Sequence, residues 1–350
     1  MPKTSRILSQ TCLLLFGALL MTACGESSEA GASEGASAPD RPEFALAIHG
    51  GAGVIRRADL DAETEAAYRA VLAESLEAGR EVLAAGGSAV DAVVATILVM
   101  EDSELFNAGR GAVMTHEGRA ELDASLMRGE DFDAGAVAGV TRVRHPILAA
   151  KAVMEQSDHV MLAGAGADAF AESVGLEQMD PDWFRTERRM EQLDRAREAD
   201  EMRLDHHEDE LGTVGAVALD RHGNLAAGTS TGGMTNKRWG RVGDSPIIGA
   251  GTYASNASCA VSATGHGEYF IRRTVAREIC ALVEYAGLDL AEASRRVVHD
   301  QLLPMGATGG IIAVDGHGEL VLEMNTPGMY RASVRAGEEA VVAIFANETD

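Results

Sequence analysis

The run 88–101, SAVDAVVATILVME, is apolar nearly all round when wound as a helix. A helix without a polar face has to be covered on several sides, which favours stacked layers of helix and sheet over a bundle. Ser88 marks its start, after Ala85-Gly86-Gly87, with Asp91 in the first turn. Ahead of it, FALAIH reads as a first strand ending at Gly50-Gly51-Ala52-Gly53, and residues 61–85 place Ala66, Ala70, Leu72, Leu76 and Leu83 near helical spacing.

Further along, short strands are expected at 112–115 and 135–140, and helices at 146–156, 167–175, 267–286 and 290–303. TVGAVALD, NLAAGTST, GIIAVD, ELVLEMN and AVVAIF read as strands. Strands and helices come in blocks rather than in steady alternation, so the reading is α+β, with packed sheets and outer helices, and not a doubly wound parallel sheet. The 350 residues suffice for one large domain or two modest ones. Asp and Glu number 54 against 30 Lys and Arg, and the resulting charge of -24 would repel nucleic acid and anionic lipid.

The N-terminus reads as an address. Lys3 and Arg6 precede an apolar stretch over 12–23, short of the roughly 20 residues a spanning helix needs but suited to a secretory signal over 1–23. Leu20-Met21-Thr22-Ala23-Cys24 resembles a bacterial lipobox, which would lipidate Cys24 and limit membrane association to that anchor; a plain secretory signal with an incidental cysteine is the alternative. Both export the protein. Residues 24–42 are small, acidic and Pro-tipped, and read as a flexible tether. In the segment 185–210, 16 of 26 residues are charged, so 185–211 reads as a solvated linker. Cys259 and Cys280 read as packed small hydrophobes rather than as a disulfide.

Most motifs fall away on inspection. Gly164-Ala165-Gly166 opens a helix after a strand-like run, but no second strand ending in an acid follows, so dinucleotide binding is not expected. His206 and His207 beside Glu208 and Asp209 have no second cluster with which to hold a metal. No Walker loop, HExxH or GxSxG occurs. Between 211 and 267 the picture sharpens. Asp220-Arg221-His222-Gly223-Asn224 reads as a three-residue hairpin loop, and facing residues across it place Thr213 opposite Thr231. A threonine is a weak nucleophile unless a base adjoins it, and a break between Gly212 and Thr213 would supply one as the new α-amine. Gly212 can take the strained backbone that attack on its own carbonyl requires.

The string GTVGAVALDRHGNLAAGTSTGGMTNKRWGRVGDSP, with AIHGGAG and ELFNAGRGAVMT before it and SATGHGE behind, resembles the plant-type L-asparaginase/isoaspartyl peptidase family of N-terminal-nucleophile hydrolases from about residue 42 onward. The resemblance implies a four-layer αββα sandwich, self-cleavage into chains 24–212 (α subunit 43–212 behind the tether) and 213–350, and an (αβ)₂ assembly. It implies Thr213 as nucleophile assisted by Thr231, with Arg241 on the substrate α-carboxylate and Asp244 on its α-ammonium. Thr264 and Gly265 would stabilise the oxyanion, Gly267 would adjoin the substrate, and Asn107 would lie near the scissile bond at Gly212. No cofactor is implied beyond a sodium ion on backbone carbonyls around Glu101, Phe106, Ala108 and Arg110. An Arg fork and an aspartate three residues apart suit a free α-amino acid, so the implied substrates are L-asparagine and β-aspartyl dipeptides. Trp239, where the family usually carries smaller residues, is expected to narrow the pocket. The competing readings are a glycosylasparaginase and a non-catalytic binding lipoprotein.

Overall fold

The computed structural model describes residues 41–199 and 212–348. The expected signal, Cys24, nearly all of the tether, linker residues 200–211 and the His206/His207 pair lie outside the described residues. The chain runs β1 (Ala45–Gly53), α1 (Ala62–Ala84), α2 (Ala89–Asp102), β2 (Leu122–Arg128), β3 (Ala134–Val140), α3 (Pro146–Gln156), β4 (Met161–Ala163), α4 (Gly164–Ser173) and α5 (Glu187–Glu198). It continues with β5 (Val214–Leu219), β6 (Leu225–Thr231), β7 (Thr252–Ala254), β8 (Cys259–Gly265), α6 (Gly267–Arg273), α7 (Val275–Ala286), α8 (Leu290–Arg295), β9 (Gly309–Asp315), β10 (Leu320–Met324), β11 (Gly328–Arg335) and β12 (Val341–Phe345).

The strands form two sheets, one of eight in the order β12-β11-β1-β5-β6-β2-β3-β4 and one of four in the order β10-β9-β8-β7. All pairings are antiparallel except β3 with β4. The period-2 alternation of a strand divides β1 and β5 between two cores. Leu46, Ile48, Val214 and Ala216 face Leu72, Leu76, Val93 and Ile97 of α1 and α2. Ala45, Ala47, Val217 and Leu219 join Val261, Ile312, and Val275 and Ile279 of α7 in the second core. The helix α2 is covered as its sequence demands, by α1 and by β5 and β6.

The hairpin register is as read: Val214 pairs with Ser230 and Leu219 with Leu225, around a turn in which Gly223 has φ +89°. Other expectations change. Residues 112–115 form only an isolated bridge, Met114 to Ala120, whereas β2, β7 and β11 were not anticipated. β2 and β11 bury Asp123, Ser125 and Arg331, so polar residues sit where an apolar alternation would have announced a strand. The helix expected over 267–286 breaks at Thr274, which adopts a left-handed φ of 49°. Part of the supposed linker is α5, capped by the Thr186 hydroxyl. Arg189, Gln192, Leu193 and Ala196 form its buried face at helical spacing, and the Arg189 Nε–H donates to the Gly111 carbonyl at 2.6 Å. Charge density concealed that periodicity. Cys259 and Cys280 are fully buried as expected, but they are joined in a disulfide, with Cα atoms 5.4 Å apart, because α7 lies directly across β8.

Candidate active site

The β5–β6 hairpin sets the two threonines. Thr213 stands just ahead of β5, half-buried, and its hydroxyl donates to the Thr231 Oγ1 at 3.0 Å. Thr231, the last residue of β6, also accepts the Gly233 N–H at 3.0 Å, so its oxygen is held toward Thr213 by backbone. Asn107 braces the turn that follows. Its Oδ1 accepts from the N–H groups of Val113 and Gly232 at 3.0 and 3.2 Å, and its Nδ2 donates to the Gly233 carbonyl at 2.8 Å.

Gly212, Thr213, Thr231, Arg241, Asp244 and Gly265 line one small cavity, together with Asn107 and Gly233. Two buried oxygens of this region have no hydrogen-bond partner among the described residues, Thr264 Oγ1 and Asp244 Oδ2. Native proteins rarely leave buried polar atoms unpaired, so both are candidates to meet a ligand. Burial pushes the Asp244 carboxyl up to about 7 against the opposing pull of Arg241. Gly267 leaves this pair room, since a Cβ there would stand 2.9 Å from Asp244 Oδ1 and 3.0 Å from both an Arg241 terminal nitrogen and the Asp244 backbone nitrogen.

The Arg241 fork is engaged by a carboxylate. Its Nε and Nη2 donate to the two oxygens of Glu268 at 3.0 and 3.1 Å. Burial disfavours the Glu268 charge, but Arg241 outweighs it and holds the carboxyl below the usual range. Glu268 was not singled out from sequence, although it ends the SATGHGE string. Trp239 does not narrow the cavity. It is 90% exposed, turned outward by a left-handed φ of 59°. Gly51 was also missed: at φ +112° it presses on Gly212, whose backbone nitrogen would lie 2.5 Å from any Cβ there.

The loop after α2 brings Gly109 (φ 50°) against the Glu101 carbonyl, and Ala108 N–H donates to the Phe106 carbonyl. Backbone carbonyl oxygens are the ligands a hard cation takes, although those of Phe106 and Ala108 here already accept the Ala108 and Gly111 N–H groups. The Glu101 side chain itself is fully buried, its Oε1 accepting from the Ser230 hydroxyl at 2.6 Å and the Ile147 N–H at 3.0 Å and its Oε2 lying 3.3 Å from His145 Nδ1. Among the described residues no cluster of His, Cys, Asp and Glu could hold a metal. A larger cleft of about 380 Å³ lies away from Thr213, where the Thr64–Asp61 pair is the N-cap of α1 rather than a nucleophile and base.

Compared with known proteins, residues 42–344 match the family described as asparaginase. An isoaspartyl peptidase of Salmonella typhimurium is 54% identical over 306 residues, covering 86% of this chain and 98% of its own. An isoaspartyl peptidase of Escherichia coli is 51% identical, covering 87% and 97%. A plant-type L-asparaginase of Pyrococcus abyssi is 41% identical, covering 84% and 97%.

Proposed function

Because this chain belongs to the asparaginase family, we propose that it is a self-cleaving threonine hydrolase that releases aspartate from L-asparagine, N-terminal β-aspartyl dipeptides, or both. The observation that carries the reading is the 3.0 Å hydrogen bond from the Thr213 to the Thr231 hydroxyl, both lining a cavity that Gly212, Arg241 and Asp244 also line. Maturation begins when the Thr213 Oγ attacks the Gly212 carbonyl carbon. The acyl group shifts from nitrogen to oxygen, which breaks the C–N bond and frees the Thr213 α-amine, and water hydrolyses the resulting ester, restoring the Thr213 hydroxyl and leaving Gly212 as a carboxylate. That amine, with an unperturbed pKa of about 8, then takes the proton of the Thr213 hydroxyl in each turnover.

Arg241 and Asp244 hold the α-carboxylate and α-ammonium of the substrate, leaving its side-chain amide at Thr213. The substrate carboxylate enters a guanidinium already oriented by Glu268. Attack forms a tetrahedral oxyanion that the Thr264 hydroxyl and the Gly265 N–H stabilise; the unpaired Thr264 Oγ1 supports this assignment. The amine leaves, and water cleaves the β-aspartyl ester. Around this site we infer a four-layer αββα sandwich, chains 24–212 (its folded portion 43–212) and 213–350 from one precursor, and an (αβ)₂ assembly. The loop 101–110 would offer backbone oxygens to a structural sodium ion. Export, with a lipid on Cys24, rests on the N-terminal pattern alone.

The reading is tested by aspartate release from L-asparagine, a β-aspartyl dipeptide and N-acetylglucosaminyl-asparagine. Turnover of the first two, lost in Thr213→Ala, is expected. Turnover of the glycosylated substrate alone would replace this reading with glycosylasparaginase, and turnover of none would remove catalysis.

A further inference from the structure

A single buried histidine holds the residue on which this chemistry depends. β5 begins at Val214, and His49 of β1 pairs across from Gly215, so the Thr213 carbonyl lies beyond the β1–β5 ladder. The His49 side chain supplies the bond that the ladder does not, with Nδ1 2.9 Å from the Thr213 carbonyl oxygen. A carbonyl can only accept, so Nδ1 carries the proton and Nε2 must accept. It does so from the Ser262 hydroxyl at 2.9 Å.

The same logic runs on through the space between the sheets. Ser262 lies 2.7 Å from Thr229 Oγ1, Thr229 lies 2.5 Å from Thr252 Oγ1, and Ser125 Oγ lies 2.8 Å from Thr252 Oγ1. Thr252, Thr229 and Ser262 can each donate one step toward His49, while the single proton of Ser125 also has the Ser245 carbonyl at 2.6 Å, so four fully buried side chains from β1, β6, β7 and β8 share a direction. Nothing can intrude: a Cβ on Gly215 would stand 2.0 Å from Ser262 Oγ and 2.4 Å from His49 Nε2. Burial also pushes the imidazole down to about 3, so the neutral ring persists at working pH.

We propose that His49 is the positioning residue of Thr213, holding its carbonyl, and so the peptide plane that orients nucleophile and amine, through the break and through turnover. The proposal rests on Thr213 being the nucleophile. Once the Gly212–Thr213 bond is cut, Thr213 loses its covalent restraint on one side. What remains is the peptide bond to Val214, the hydroxyl contact with Thr231 and the His49 bond. His49 touches no substrate, so loosening it displaces the attacking oxygen without removing a substrate contact. A displacement of about 1 Å is enough for roughly a 100-fold loss in rate.

The test compares three variants for chain cleavage, kcat and KM, with thermal melting to report folding. In His49→Leu both ring bonds go, and a fall in kcat of about 100-fold at unchanged KM is expected, with slowed cleavage. His49→Asn places an amide N–H near the Nδ1 position and should recover most of that loss. Ser262→Ala leaves the Thr213 contact but frees the ring, and should lower kcat by roughly 3- to 10-fold, the worth of one neutral hydrogen bond, between the other two. Wild-type kcat in His49→Leu, or an Asn variant that melts like wild type yet is as slow as Leu, would overturn the proposal. A rise in KM equal to the fall in kcat would do so too, since that marks general loosening of the site. If His49→Leu does not fold, unchanged kcat in Ser262→Ala overturns it. An uncut wild-type protein would instead refute the nucleophile assignment beneath it.

Discussion

Arg241 and Asp244 divide the recognition of an amino acid between a fork and a point charge, and each makes a distinct expectation. Arg241→Lys keeps the charge but loses the paired bonds seen with Glu268, and losing a charge-assisted contact of about 1.5–3 kcal/mol should lower kcat/KM roughly 10- to 150-fold. Self-cleavage, which needs no bound substrate, should be nearly unaffected; equal loss in both would detach Arg241 from substrate. Asp244 makes a pH signature. Its carboxyl is raised to about 7 by burial, and only the ionised form pairs with an ammonium, so kcat/KM should fall as pH drops through about 7. Bound substrate brings its own positive charge and keeps Asp244 ionised, so this limb should be missing from kcat. A limb of equal size in both profiles would assign it to the Thr213 amine instead. The facing of Thr213 and Thr231 was legible in sequence because a hairpin turn is local, whereas Arg241, Asp244 and Thr264 were named only through the family resemblance. His49, Glu268 and the serine and threonine hydroxyls between the sheets were not legible, because their partners lie 23 to 213 positions away in the chain.

At the scale of elements, legibility followed periodicity. α2 and the hairpin declare themselves through an all-apolar face and a glycine turn, whereas α5 hides a buried face of Arg189, Gln192, Leu193 and Ala196 within dense charge, and β2 and β11 hide behind buried polar residues. Cysteine burial was readable but pairing was not, since it depends on how α7 crosses β8. The disulfide spans 21 positions, and closing a loop of that size stabilises a fold by about 3 kcal/mol. Cys280→Ala should therefore lower stability by about 2–4 kcal/mol in denaturant titration while kcat stays within a few-fold of wild type. An unchanged midpoint would show that the α7–β8 packing needs no covalent tie. Both cysteines lie after Thr213, so the disulfide cannot join the two proposed chains.

In the whole molecule, the break at Gly212–Thr213 would cut a structure whose two parts interlock. β1 precedes the break, yet it is hydrogen-bonded to β5 on one side and β11 on the other, both of which follow it. Cleaved protein should therefore elute as one particle in size-exclusion chromatography, and its chains should part only in denaturant; separation in native buffer would contradict this topology. The apolar run before Cys24 makes an expectation at the cellular scale: wild-type protein should fractionate with membranes and Cys24→Ser with the soluble phase. Wild-type protein with an unmodified terminus beyond Cys24 would remove the anchor. All of the chemistry converges on Thr213 becoming a chain terminus. Denaturing electrophoresis of wild-type protein, with N-terminal sequencing of the smaller band, tests this most directly. The account predicts two chains, the smaller beginning Thr213-Val214-Gly215, and a single uncut chain for Thr213→Ala. An active wild-type protein that remains one chain, or a new terminus at any other residue, would contradict it.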